Sequence, residues 1–170
     1  MPFQIDSTAA SGHGAGPPVR LLVGIGAEFR GDDAVGLRVV EVARPRLPSG
    51  VEVRVLAEDA TTLIEWWPGA DLVVIVDAMR AAQPTGSITR LDLLEPGHGA
   101  VAVPAGGLRS SHALGVAEAL ALARSIGRLP RRLIAYGIEG GAFAAGAPMT
   151  LSVATAIDEV AERVAGEFAG

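Results

Sequence analysis

Residues 72–77 read LVVIVD, an unbroken run of apolar and mostly β-branched side chains that is closed by Asp77. Continuous apolar runs of this length indicate a strand that is covered on both faces, because a half-exposed strand would alternate with polar residues. Residues 20–26 (RLLVGIG) and residues 133–138 have the same character. Strands of this kind are typical of parallel sheets, whose crossover helices cover both faces.

The segments around these strands predict helices and two further strands. Residues 51–57 alternate as VEVRVLA, which favours a half-buried strand, and residues 86–91 predict an edge strand. Helical spacing of apolar residues predicts four helices, at residues 33–43, 61–67, 111–126 and 152–168. The alternation of strand and helix predicts an α/β fold, a three-layer sandwich with a mostly parallel, five-stranded, twisted sheet flanked by helices.

Composition narrows the class of protein. The chain has 170 residues and a net charge of -5 without a basic stripe, which argues against a nucleic-acid partner. It has no cysteine, which excludes disulfides, thiolate metal sites and a cysteine nucleophile. Residues 1–18 predict a flexible leader and residues 19–170 a single domain. No secretory signal or membrane span is recognisable, so a cytoplasmic protein is expected.

Reactive side chains fall where the predicted strands end. Asp32 and Asp33 follow the first strand, Asp77 ends the central strand, and His112 stands at the start of the third helix. Ligands of open α/β sheets bind beyond the carboxyl ends of the strands. Two carboxylates and an imidazole from separate segments are therefore expected at one edge, where they could hold a divalent metal ion.

Each of these residues also has a structural interpretation. An isolated aspartate at position 32 or 33 more often caps a helix or interacts with its dipole. Asp77 could fasten a loop, and His112 could cap its own helix. His98 and His13 have no companions and are interpreted as bystanders. The case for a site rests on the common position of the residues rather than on any one of them.

Several other functional classes lack their motifs. In the first glycine turn, the third glycine of a dinucleotide fingerprint is replaced by Phe29, which argues against a nucleotide-binding module. There is no phosphate-binding Walker motif, no GxSxG nucleophile turn and no HExxH zinc motif. The Trp66-Trp67 pair could be a docking patch, but a role in the core is favoured.

Five segments, in order, resemble the hydrogenase maturation proteases. They are GIGAEFRGDDAVGLRVVE at 24–41, ADLVVIVDAM at 70–79, PTGSITRL at 84–91, SSHALGVAEALALARSIGRLP at 110–130, and LIAYGIEG at 133–140. Each motif is weakly specific by itself, but the collinear set is specific. The resemblance covers residues 20 to 166 and implies an endopeptidase.

The resemblance also implies a substrate and a set of ligands. It implies removal of a C-terminal extension from the large-subunit precursor of a [NiFe] hydrogenase after nickel delivery. Nickel would be carried by the precursor and bound by Asp33, Asp77 and His112. A metal ion could polarise the scissile carbonyl and acidify a water, or a carboxylate could serve as general base, and both routes stay open. The alternative is a nickel-binding docking protein that holds the precursor without cutting it.

Two segments depart from the family pattern. An asparagine usually follows the first Gly-x-Gly, where this chain has Ala27-Glu28. Residues 57–62 read AEDATT, where the family often has an Asp-Gly-Gly-Thr turn. We expect this loop to border the site, and the same reaction to act on a divergent hydrogenase subtype with altered docking.

Overall fold

The computed structural model describes residues 19–57, 59–95 and 111–170, and the side chains of residues 111–114 lie outside the description. Within these ranges a single sheet has the strand order β2-β1-β3-β5-β4. The strands are β1 (Arg20–Ile25), β2 (Val51–Leu56), β3 (Leu72–Met79), β4 (Ile88–Asp92) and β5 (Leu133–Glu139). All neighbours are parallel except β4, which pairs antiparallel with β5 at the edge. The mostly parallel, five-stranded sheet is confirmed, whereas the leader at residues 1–18 lies outside the described residues and stays a prediction.

The helices occur in the predicted order. They are α1 (Val35–Ala43), α2 (Leu63–Trp66), α3 (Ser111–Ser125) and α4 (Leu151–Glu167). The first helix begins two residues later than predicted, because Gly31–Ala34 form a 3₁₀ turn that carries both aspartates. The second is a single α-helical turn preceded by the 3₁₀ turn Ala60–Thr62.

Side chains of the central strands alternate between two buried cores. Leu22 and Val74 pack with α1 and α4 on one face. Leu21, Val73 and Ile75 pack with α2 and α3 on the other. Both faces of the sheet are therefore covered, and the three-layer sandwich predicted from LVVIVD is confirmed.

The tryptophan pair belongs to the second core. Trp67 is fully buried among the residues that α2 brings to the sheet. Trp66 is partly buried, and the Arg54 guanidinium lies 4.7 Å from the centre of its ring. The structural interpretation is therefore confirmed for Trp67.

Helix α1 lies unusually close to the sheet at its start. A side chain on Gly36 would collide with the carbonyl oxygens of Ile25 and Val76, and one on Gly24 would come within 2.5 Å of the Gly36 carbonyl oxygen. Only glycine fits at both positions, since the obstacles are backbone atoms that cannot swing away. The first turn of α1 therefore lies directly over the gap between β1 and β3.

This gap is the topological switch point of the sheet. The chain leaves β1 to form β2 on one side, and β3 pairs with the opposite side of β1. Loops that leave the carboxyl ends of β1 and β3 diverge, which opens a crevice there. No helix within the described ranges is long and apolar enough to cross a membrane.

A polar network ties the end of α4 to the edge of the sheet. The Tyr136 hydroxyl donates to Oε1 of Glu167 at 2.8 Å, and Arg90 Nε donates to the same oxygen at 2.6 Å. The hydrogen bond from Arg90 lowers the pKa of Glu167 from its usual value. Burial, aided by Glu167, raises the pKa of Tyr136 to about 12.

Candidate active site

The turn after β1 holds Asp33 at the switch crevice. Gly26 has φ +148°, and a side chain there would collide with the Asp33 carbonyl oxygen. The next residue, Ala27, donates its backbone N–H to Oδ2 of Asp33 at 3.2 Å. Asp33 is only 5% exposed. Backbone contacts thus fix both the main chain and the carboxylate of Asp33.

Asp32 fastens a distant loop to the same turn. Its Oδ2 accepts backbone N–H bonds from Gly141 at 2.7 Å and Ala142 at 2.9 Å, and its Oδ1 accepts one from Thr150 at 2.7 Å. The Thr150 hydroxyl lies 3.1 Å from both oxygens. Asp32 has no exposed surface, and its own N–H donates to the Ala142 carbonyl at 2.7 Å. Asp32 therefore joins the loop between β5 and α4 to the turn that contains Asp33.

The helix-cap interpretation of the aspartate pair is wrong. The residue before the 3₁₀ turn is Arg30, the residue before α1 is Ala34, and no side-chain hydrogen bond caps either start. The carboxylates point to other partners because the 3₁₀ turn places them before the helix proper. Asp32 accepts bonds from the loop at residues 140–150, and Asp33 accepts one from Ala27.

Asp77 borders the other side of the crevice. It follows Val76, which pairs with Gly24 of β1, and it pairs with Gly137 of β5. Its side chain is on the α3 face of the sheet, where it lines a mainly apolar cleft. Other residues lining this cleft are Ile75, Met79, Leu91 and Val116. Oδ1 of Asp77 is buried, so one carboxylate oxygen lies in weakly polar surroundings.

The third predicted residue, His112, is the second residue of α3, and its side chain lies outside the described part of the structure. The end of α3 connects to the start of β5. The first turn of α3 therefore lies near the carboxyl ends of the parallel strands, where Asp77 is. His112 is four residues before Val116, and residues so spaced share a helix face. Val116 lines the cleft beside Asp77, so the helix that contains His112 packs next to Asp77.

Asp33 therefore follows β1, Asp77 lies in the neighbouring strand β3, and His112 is in the first turn of the helix that packs on the same face as Ile75 of β3. Among the side chains it describes, no three histidine, cysteine or acidic residues form a metal-binding group. Asp33 and Asp77, the predicted oxygen donors, belong to the segments that follow or end neighbouring strands. Completion by a nitrogen donor rests on His112, and the three-residue site stays a prediction.

Sequence reasoning did not find the roles of two buried carboxylates at this edge. Glu139, which ends β5, is buried, and both of its oxygens accept the Ala81 backbone N–H, at 3.1 and 2.8 Å. It thereby fastens the turn that follows β3 and Asp77. Asp77 is predicted as a site residue because it is a polar residue that ends an apolar strand. Glu139 has the same sequence signal. Asp32 had no such local signal, because its partners lie more than a hundred residues away.

The divergent segment at residues 57–62 supports α3. Asp59 accepts bonds from the Thr61 hydroxyl at 2.7 Å and the Thr61 N–H at 2.9 Å, and these bonds lower its pKa. A side chain on Gly115 would come within 2.8 Å of the Ala60 Cβ, so α3 packs tightly on this segment. Glu58 lies outside the described residues. The segment therefore helps to position the helix that carries His112.

A family model for hydrogenase maturation proteases matches residues 56–167, more than half of the chain. The chain belongs to the hydrogenase maturation protease family. The match includes Asp77 and His112, while Asp33 precedes it. No curated protein sequence matches the chain.

Solved structures of maturation proteases share the fold. The hydrogenase maturating endopeptidase HybD from E. coli is 26% identical, with a TM-score of 0.74 over 88% of this chain and 91% of that one. An endopeptidase from Escherichia coli is 27% identical, with a TM-score of 0.72 over 86% and 90%. The [NiFe] hydrogenase maturation protease HycI from Thermococcus kodakarensis is 23% identical, with a TM-score of 0.65 over 92% and 96%. This maturation protease thus has its relatives' α/β fold over 86–92% of its chain.

Proposed function

We propose that this protease removes a C-terminal extension from the nickel-loaded large-subunit precursor of a [NiFe] hydrogenase, in the cytoplasm. Asp33, Asp77 and His112 are the residues that bind the precursor's nickel. The observation that supports this assignment is that Asp33 follows β1 and Asp77 lies near the end of β3, which are neighbouring strands of a maturation-protease fold. The placement of α3, with His112 in its first turn, supports it.

The donor set suits a nickel ion that arrives with the substrate. Carboxylate oxygens and an imidazole nitrogen bind divalent first-row metals, and a site with three protein donors leaves positions for the precursor's own ligands. A precursor without nickel would offer no ion to these residues and would bind more weakly. Nickel delivery would then decide when the extension is cut.

The same carboxylates can serve the hydrolytic step. Asp33 is held by the Ala27 amide, and Asp77 has one buried oxygen beside apolar side chains. A fixed carboxylate within reach of the scissile bond can take a proton from the attacking water. Polarisation of the scissile carbonyl by the substrate's nickel is the other route, and both use the same residues.

Intact-mass spectrometry of the host's hydrogenase large-subunit precursor tests this function. The precursor is prepared with and without nickel and incubated with the protease. Loss of a defined C-terminal peptide only from the nickel-loaded form is expected. Loss from both forms would refute nickel recognition. An unchanged mass with a stable complex would instead favour a docking protein, and an unchanged mass without a complex would contradict the proposal.

A further inference from the structure

Phe29 combines two features that a folding role does not explain. Its side chain is 81% exposed, although it is among the largest apolar side chains in the chain. Its backbone has φ +61°, a left-handed conformation that is unusual for a bulky residue. Glycine would adopt this conformation without strain and would expose no apolar surface. The position is also the one at which a dinucleotide fingerprint would have its third glycine.

The turn that carries Phe29 is held firmly on both sides. The Phe29 carbonyl oxygen accepts the Gly146 N–H at 2.7 Å. Two residues before it, Ala27 donates to Asp33, and three residues after it, Asp32 binds the loop at residues 140–150. The aromatic ring is therefore presented from a fixed backbone, which is the arrangement that makes an aromatic residue an effective anchor at an interface.

The backbone of Phe29 lies close to the proposed site. Phe29 is two residues from Ala27, whose N–H binds the Asp33 carboxylate, so their Cα atoms are within about 7 Å of each other. Its neighbours Glu28 and Arg30 are exposed charged residues. An apolar contact surrounded by charged groups is typical of the centre of a protein contact, where the rim excludes water.

We infer that Phe29 is a specificity-determining residue, whose ring contacts an apolar side chain of the precursor in the segment next to the scissile bond. This role accounts for the backbone strain and the exposed ring of Phe29, because the ring is buried only when the substrate is bound. The backbone of Phe29 is two residues from the amide that binds Asp33, and this proximity is why we assign the precursor as the occupant. This inference rests on the proposed function, since it assumes that the precursor is cut at Asp33 and Asp77.

Kinetics of precursor cleavage by the full-length protease test the inference. Phe29→Ala is expected to raise KM by roughly tenfold or more while kcat stays within about twofold, because the contact binds substrate without taking part in the reaction. Phe29→Leu is expected to restore much of the affinity, and Phe29→Gly to raise both KM and the melting temperature. Ala82→Gly is the matched control, because Ala82 has φ +59° and its change relieves strain without removing an aromatic ring.

The outcomes separate this inference from the proposed function. A wild-type protein that leaves the nickel-loaded precursor intact would refute the proposed function and the inference with it. Normal cleavage with an unchanged KM for Phe29→Ala would refute the role of Phe29 alone. An unchanged KM with loss of a wild-type dimer on size-exclusion chromatography would also refute it, and would assign the ring to self-association.

Discussion

Replacement of Asp32 by alanine should strongly destabilise the fold although the residue belongs to a turn. The substitution removes the acceptor of three backbone N–H groups, on Gly141, Ala142 and Thr150, and of the Thr150 hydroxyl. These bonds are the described side-chain links between the turn after β1 and the loop that precedes α4. Their loss should also loosen the turn that fixes Asp33.

The size of the effect follows from the donors that remain. A hydrogen bond to a charged group contributes about 1.5–3 kcal/mol, and a buried donor left without a partner costs about 1–3 kcal/mol. Gly141 is exposed, so water can replace its acceptor, while Ala142 and Thr150 are partly buried. With water replacing the acceptor of Gly141, the two partly buried donors give a loss of about 2–6 kcal/mol in the free energy of unfolding. That is a large part of the ~5–15 kcal/mol by which domains are stable.

A graded series keeps the test informative if Asp32→Ala does not fold. Asp32→Asn retains one acceptor oxygen and should cost about 1–3 kcal/mol, and Thr150→Val removes only the hydroxyl and should cost about 1 kcal/mol. Asp158→Ala is the matched control. Asp158 pairs with Arg46 at 2.9 Å on the surface and its side chain is 82% exposed, so its loss should cost less than ~1 kcal/mol.

Urea denaturation followed by circular dichroism measures all four variants. The expected order of destabilisation is Asp32→Ala, Asp32→Asn, Thr150→Val and Asp158→Ala, from largest to smallest. If Asp32→Ala costs no more than Asp158→Ala, the carboxylate does not support the loop and the reasoning from its hydrogen bonds is wrong.

Two further perturbations have signs that the structure fixes. Gly36→Ala should lower the free energy of unfolding by about 3 kcal/mol or more in urea denaturation, because the alanine side chain would collide with the Ile25 and Val76 carbonyls. The collision outweighs the ~1 kcal/mol that alanine gains in helix propensity. A stabilised variant would contradict this packing. The lowered pKa of Glu167 implies a contribution to stability that is present above pH 4.5 and is lost as the pH falls through the lowered value. The raised pKa of Tyr136 implies a contribution that is present below pH 10 and is lost between pH 10 and about 12. The urea midpoint should therefore fall both at acidic and at strongly alkaline pH. Glu167→Gln should reduce the fall at acidic pH. If that fall is unchanged in Glu167→Gln, the contribution assigned to Glu167 is wrong.

The sheet could be predicted because its signals are local. The apolar run at residues 72–77 identified β3 as a strand covered on both faces, and the helical spacing around it identified the flanking layers. The start of α1 was displaced because Gly31–Ala34 form a 3₁₀ turn. That turn is fixed by hydrogen bonds between Asp32 and the loop at residues 140–150. The loop is too far along the chain to be inferred from the sequence near residue 32.

The candidate site was predictable to the extent that it follows from the ends of strands. Asp33 and Asp77 are predicted site residues because one follows β1 and the other ends the apolar run of β3, and the strand order makes β1 and β3 neighbours. The supporting roles of Asp32 and Glu139 were not predictable, because they depend on backbone donors in other segments. The left-handed backbone conformation of Phe29 was not predictable either, because glycine is the residue that indicates this conformation in a sequence.

The most direct test of the central assignment is the initial rate at which Asp33→Asn, Asp77→Asn and His112→Gln variants cleave the nickel-loaded precursor. Each variant should keep the wild-type circular dichroism spectrum and cleave at least ~100-fold more slowly, because each loses a donor to nickel or a proton acceptor. Asp158→Asn, at the exposed surface of α4, should cleave at the wild-type rate. Wild-type rates for all three site variants would contradict the assignment of this crevice as the active site.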